Sequence, residues 1–261
     1  AARARVAIVC EKPFARHLRD AEEMAEACEA TGTPLFVAHV VRFFPTYARA
    51  QSAVTSGAIG KPGVIRTMRA GSYPRPGAAF SSPFYADFAR SGGVALDLAI
   101  HIDYHRWIGG EVERVFARGL TFTGTPNADH AYIVLRFRSG AIGHIDANWA
   151  LPPGLYRTRL KIADEQGLIE WDSFQPPPLI AAFHDAEHPG HARHLTANPL
   201  AAHDDPYYAQ LAHVLERLAQ NKPFLVTPHD ATMALKVSLA ALESMRTGLP
   251  IELESFREKT A

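Results

Sequence analysis

Glu11, Lys12 and Pro13 follow directly on the apolar run Val6-Ala7-Ile8-Val9-Cys10, and Phe14 and Ala15 return at once to apolar character. An acid and a base at the end of a buried strand put opposite charges at one corner. In open α/β sheets, the carboxyl ends of parallel strands are where ligands bind; a surface ion pair at a strand end is the alternative. A second set is Gly92-Gly93 followed by Asp97 and His101. Four residues apart on a helix, carboxylate and imidazole share a face. A carboxylate beside an imidazole holds one tautomer and raises its basicity, as a general base requires. An incidental polar pair has the same spacing and, for the pair alone, is the commoner explanation. The glycine pair lets a helix start approach another backbone or a ligand closely. The third set is His184, His188, His191 and His194 with Asp185 and Glu187. These could ligate a transition metal, but Pro189-Gly190 breaks any helix that would align them. The expectation is no metal, and a polar loop over the sheet or at a subunit contact.

Positioning these groups requires a framework, and the periodicity supplies one. Residues 5–10 read as a buried strand, 17–31 as an amphipathic helix with Leu18, Ala21, Ala25 and Cys28 on one stripe, and 34–41 as a second buried strand. Strand, helix and strand make a βαβ unit with parallel pairing. Pro45 opens a helix to about Ser56, 63–73 is extended, and 92–108 is helical. Extended runs follow at 112–122, 129–138, 141–150, 156–163 and 167–172, with hairpin turns at Ser139-Gly140 and Glu165-Gln166-Gly167. Ile142, His144, Asp146 and Asn148 alternate with Gly143, Ile145, Ala147 and Trp149, so one sheet face is polar and the other apolar. The pattern predicts a mostly antiparallel sheet. Segment 175–205, with Pro176-Pro177-Pro178, reads as a long loop. Asp205-Pro206 starts a helix with Leu211, Val214, Leu215 and Leu218 on one buried stripe, Thr227 to Asp230 outlines a capping box, and Gly248 ends the last helix.

The chain has 261 residues, 47% hydrophobic and 21% charged, with formal net charge zero. That is a globular composition. Zero net charge argues against nucleic acid, whose phosphates demand a basic excess. No apolar run approaches the ~20 residues of a membrane span, so no membrane partner is expected. Two cysteines, Cys10 and Cys28, make no disulfide framework, which fits a reducing cytoplasm.

Taken in order, Glu-Lys-Pro after a strand, "HVVRFFP", "GAIGKPG" after a short helix, Gly-Gly…Asp-x-x-x-His…Arg-Trp…Gly and the tail from "NKPFLVTPHD" to "LPIEL" resemble the glucose–fructose oxidoreductase/inositol dehydrogenase (Gfo/Idh/MocA) family. The likeness runs from about residue 5 to residue 253. It implies α/β plus α+β architecture: a doubly wound dinucleotide-binding domain, then an α+β domain with a large open, mostly antiparallel sheet. It further implies an NAD- or NADP-dependent dehydrogenase acting on a sugar, inositol or related polyol, and a homo-oligomer formed through the open sheet face. Carried over by motif, Glu11, Lys12 and Pro13 would meet the cofactor, with Pro13 fixing the turn through a cis bond. Lys12 would sit between substrate and nicotinamide, Asp97 would bind a substrate hydroxyl, and His101 would take its proton. Arg42, Tyr73 and Tyr156 would complete the substrate site. In the family an Asp follows the His by three residues; here Asp103 follows His101 by two, with the Asp97–His101 spacing intact.

No Gly-x-Gly-x-x-Gly occurs in the sequence; "GAIGKPG" has the wrong spacing and follows a helix. Of the two βαβαβ halves of a nucleotide domain, only about the last unit is present. Residues 1–42 therefore read as the C-terminal remnant of that domain and 43–261 as the α+β domain. Two functions stay open: a hydride-transferring dehydrogenase or its substrate-binding portion, and a non-catalytic oligomerisation or sugar-binding module.

Overall fold

The stripe at 18, 21, 25 and 28 forms helix α1, Leu18–Thr31, which buries Leu18, Ala21 and Cys28. Gly32 closes it with φ 64°, a left-handed backbone that glycine adopts without penalty. The computed structural model describes residues 1–72, 84, 87–97, 99–122, 128–152, 155–175, 179–184, 192–197 and 205–258, with side chains at 99–100, 179–184 and 192–197 excepted. Strands β1, Ile8–Cys10, and β2, Leu35–Val37, flank α1 and pair in parallel. β2 is buried throughout, but β1 is not: Val9 is 48% exposed. Among the described residues β1 has a single strand neighbour. The second extended run also ends early, turning into a 3₁₀ helix over Val40–Phe43.

Helix α2, Pro45–Thr55, leads to strand β3, Val64–Ser72. A short helix α3, Phe88–Ser91, precedes the expected helical stretch, which is helical over α4, Gly93–Asp97, and α5, Ala99–Gly109, with residue 98 outside the described residues. The hairpin grammar then gives β4, Val112–Leu120, β5, His130–Phe137, β6, Ile142–Leu151, β7, Arg157–Asp164, and β8, Gly167–Asp172. Within 175–205 the long-loop expectation does not hold. β9, Leu179–His184, and β10, Ala192–Ala197, pair antiparallel and extend the sheet, because unpaired backbone at a sheet edge offers a ladder that needs no side-chain alternation. His188 and His191 of the histidine cluster lie outside the described residues.

The large sheet has nine strands in the order β10-β9-β8-β7-β3-β6-β5-β4-β11, with β11 at Ile251–Glu252. β3 and β6 are parallel, and the other neighbours are antiparallel. On β5, Ala131, Ile133, Leu135 and Phe137 point into the core, while His130, Tyr132, Val134 and Arg136 face out. Helix α6, Pro206–Gln220, and helix α7, Pro228–Thr247, close the fold. The capping box forms as expected, Thr227 and Asp230 satisfying each other's backbone, and Gly248 ends α7. α7 packs on β4, α5 and α1. One core therefore runs from Phe14 and Leu18 through Ile65 and Leu96 to Ile133 and Leu235.

α6 corrects the buried-stripe expectation. Val214 is buried, but Leu211, Leu215 and Leu218 are exposed. The helix turns Gln210 and Val214 inward, and Val214 packs in a separate cluster with Phe36, Ala38 and Val226.

Candidate active site

β1 ends at Cys10, whose carbonyl accepts the Ala38 N–H at 2.8 Å, and the chain turns through a cis Lys12–Pro13 bond to the buried anchor Phe14. The two charges at this corner part company. Glu11 stays exposed, its carboxylate accepting the Lys12 backbone N–H at 3.2 Å. Lys12 reaches inward: its Nζ lies 2.6 Å from Asp97 Oδ1 and 3.0 Å from the Asp97 carbonyl oxygen. The ammonium thus satisfies both the carboxylate and a main-chain acceptor at the end of α4.

The Gly92-Gly93 entry lets this chain approach itself closely. Both residues have φ 71°. A Cβ on Gly92 would fall 2.9 Å from Leu96 Cβ, and one on Gly93 would fall 2.9 Å from the Phe88 ring. The close approach is to the chain itself, bending α3 into α4.

Asp97 does not orient His101, which corrects the tautomer argument. Its carboxylate is taken by Lys12 and by a hydrogen bond from Trp149. Burial pushes its pKa up, but Lys12, Arg69 and these hydrogen bonds outweigh burial and hold it below the usual carboxylate range. His101 is 2% exposed, with its ring edge-on to Tyr47 and its Nδ1 without a hydrogen-bond partner. Burial first, then the charges of Arg69, His105 and Lys12, depress its pKa well below the ordinary imidazole value. His101 is a neutral imidazole at pH 7.

A cavity of about 280 Å³ opens at this histidine, lined among others by Tyr47, Arg69, His101, Tyr156, Thr158 and Trp171. Trp171 Nε1 and His101 Nδ1 are buried and make no hydrogen bond, and the Tyr47 hydroxyl has the Thr158 side chain as its neighbour. The Tyr47, Tyr156, Thr158 and Trp171 side chains give this cavity polar groups beside aromatic faces, a wall suited to a hydroxyl-bearing ligand. Lys12 and Asp97 stand outside this lining. A larger cleft of about 830 Å³ between α1 and the 217–233 segment includes none of the residues singled out for chemistry. Among the described residues no group of three or more His, Cys, Asp or Glu side chains is placed to hold a metal.

The other expected residues divide. Tyr156 lines the cavity, with the Arg69 guanidinium 5.7 Å from its ring centre. Tyr73 lies outside the described residues. Arg42 does not reach the cavity: it is 4% exposed and donates to Asp103 at 2.7 and 2.6 Å and to the Leu225 carbonyl at 2.9 Å. Its donors are spent on the fold. Arg69, Tyr47 and Trp171 escaped the sequence reading. Arg69 alone had a readable signal, since it shares strand parity with the buried Ile65 and Thr67, and an arginine on the inner face of a strand is unusual.

Residues 47–170 match the GFO/IDH/MocA C-terminal domain. The chain is 31% identical to the myo-inositol 2-dehydrogenase of Thermotoga maritima over 97% of its own length and 74% of that protein. The chain belongs to the GFO/IDH/MocA family. It is also similar to the scyllo-inositol 2-dehydrogenase (NAD(+)) of Bacillus subtilis, at 28% identity over 97% of this chain and 72% of that one. Among solved structures, a probable dehydrogenase from Thermotoga maritima superposes with TM-score 0.78 at 30% identity, covering 97% of this chain and 74% of the other. The large, mostly antiparallel sheet is thus the GFO/IDH/MocA C-terminal architecture. These relatives favour the dehydrogenase over the non-catalytic module.

Proposed function

We propose that this GFO/IDH/MocA protein is an NAD-dependent oxidoreductase moving hydride between the nicotinamide and a hydroxyl-bearing carbon of a sugar, inositol or related polyol. The observation that carries the reading is the neutral imidazole of His101 at the wall of a cavity that Tyr47, Arg69, Tyr156 and Thr158 also line. A polyol hydroxyl at His101 gives up its proton to the ring while the C–H electron pair leaves as hydride. Bound NAD supplies the acceptor for that hydride. The carboxyl ends of the parallel strands β1 and β2 fit the nicotinamide end of such a cofactor, with Glu11, Lys12 and Pro13 to hold it. Lys12 contributes positive charge where alkoxide character develops, and Asp97 acts by positioning Lys12.

Residues 1–42 then serve as the last βαβ unit of the nucleotide domain and 43–261 as the substrate domain. The outward face of the large sheet, with Tyr132, Val134 and Ile142 exposed, suits pairing with a second copy. Among the described residues no helix is long and apolar enough to cross a membrane, both cysteines are free, and a cytoplasmic location follows from that reading. The test is NADH formation by the full-length protein with a panel of inositols and aldoses, with Lys12→Ala alongside. Turnover of at least one polyol, lost in the Lys12 variant, is expected. No turnover of any polyol, or an unaffected Lys12→Ala, would overturn it.

A further inference from the structure

Arg69 is the part of the cavity that proton and hydride removal leaves unused. It projects from β3 where Arg69 pairs with Thr158 of β7 and Ala147 of β6. Among the described residues it makes no hydrogen bond or ion pair, and its ring contact is with Tyr156 at 5.7 Å. The local charges do not cancel. Lys12 and Arg69 are positive, Asp97 is negative and already bridged to Lys12, and His101 is neutral. Among the described residues one positive charge is left over at the cavity. Asp97 is the shared counter-charge of both cations; a cation drawn partly out of water with only a shared counter-charge is costly, and the planar guanidinium fork matches a carboxylate better than it matches a hydroxyl.

We propose that the cavity takes a polyhydroxy carboxylate, a sugar acid, with its carboxylate on Arg69 and its reacting hydroxyl at His101. This rests on the polyol-oxidoreductase reading of the same site and narrows its substrate class. The remaining hydroxyls meet the polar side chains of the lining, Tyr156 and Thr158 among them. The surplus is a single charge, which a carboxylate neutralises and a phosphate dianion exceeds. The arrangement also helps the base. Arg69 and Lys12 both oppose a charge on His101, and an anion on Arg69 cancels the larger of these two opposing charges while the proton is taken.

The experiment measures binding by intrinsic tryptophan fluorescence and calorimetry in the presence of NADH. The probes are D-gluconate and D-glucuronate, the neutral D-glucose and myo-inositol, and D-glucose 6-phosphate. Carboxylates should bind ~10- to 100-fold more tightly than their neutral counterparts, the range of one charge-assisted hydrogen-bonded pair. Arg69→Gln should collapse that ratio to within about threefold, while Arg69→Lys, which keeps the charge and controls for a folding defect, should retain part of it. Equal affinity for gluconate and glucose, or a ratio surviving in Arg69→Gln, overturns the assignment of Arg69 and leaves the polyol reading standing. Tighter binding of the phosphate overturns the carboxylate. Silence across the whole panel overturns the polyol reading and this proposal together.

Discussion

Two sets of cation, carboxylate and imidazole lie close together in this chain, and they behave in opposite ways. In one, Lys12 bridges Asp97 at 2.6 Å near His101, and the imidazole keeps a partnerless nitrogen at a cavity wall. In the other, Arg42 clamps Asp103 through two hydrogen bonds, with His39 Nδ1 3.4 Å away. Asp103 has no exposed surface. Burial pushes its pKa up, but His39 and the Arg42 guanidinium outweigh that and hold it well below the usual carboxylate range. The second set lines no part of the cavity. Residue types alone do not separate the two. His39 also leaves both ring nitrogens without a hydrogen bond, so what separates the two sets is the open volume: the enclosed set stabilises the fold, and the one at a cavity is available for chemistry.

The largest effect expected from breaking this contrast is at His101. In the full-length protein, His101→Ala should lower turnover ~100- to 10,000-fold, as loss of a general base does. Steady-state rates with the best polyol check it, and near-normal turnover would remove His101 from the proposed chemistry. The matching change on the closed side is Arg42→Ala, which strands Asp103 as a buried, unpaired charge. Urea or thermal unfolding should show a loss of ~3–5 kcal/mol. A change of a few tenths of a kcal/mol would mean that the closed set is not structural.

A smaller effect sharpens the contrast through pH. Burial, then the charge of His144, lowers the His105 pKa from the ordinary 6.5 to about 3, and His105 Nε2 sits 3.0 Å from Thr67 Oγ1. As pH falls below about 6.5 the unfolded chain takes up a proton on this residue and the folded chain does not. Stability therefore falls as pH is lowered from 6.5 toward 3, by at most ~1.4 kcal/mol per pH unit for this residue. His101 adds to the slope in the same direction. Melting temperatures from pH 7 to pH 5 should show this decline, and His105→Gln should flatten it. An unchanged slope in that variant would mean that His105 is not held neutral in the folded protein.

Much of this fold is written in local signals, because those signals act within a few residues. The Thr227–Asp230 capping box, Gly32 and Gly248 at positive φ, Pro45 and Pro206 at helix starts, and the alternation along β5 and β6 each decide a backbone conformation through immediate neighbours. They made the βαβ unit and the antiparallel sheet legible, and the spacing of Glu11-Lys12-Pro13, Asp97 and His101 pointed to the family. Tertiary structure alone decided which charges meet. Lys12 and Asp97 are 85 residues apart, and no periodicity indicates that Asp97 answers Lys12 instead of His101, or that Arg42 is spent on Asp103. It also decided that α6 buries Gln210 and Val214 while Leu211 and Leu215 stay exposed, since a helix with two adjacent apolar stripes turns toward whichever surface is offered. Arg69 belongs to the same class. Strand parity placed it on the inner face, but only the packing of β3 against β6 and β7 left it beside His101 with no hydrogen bond or ion pair among the described residues.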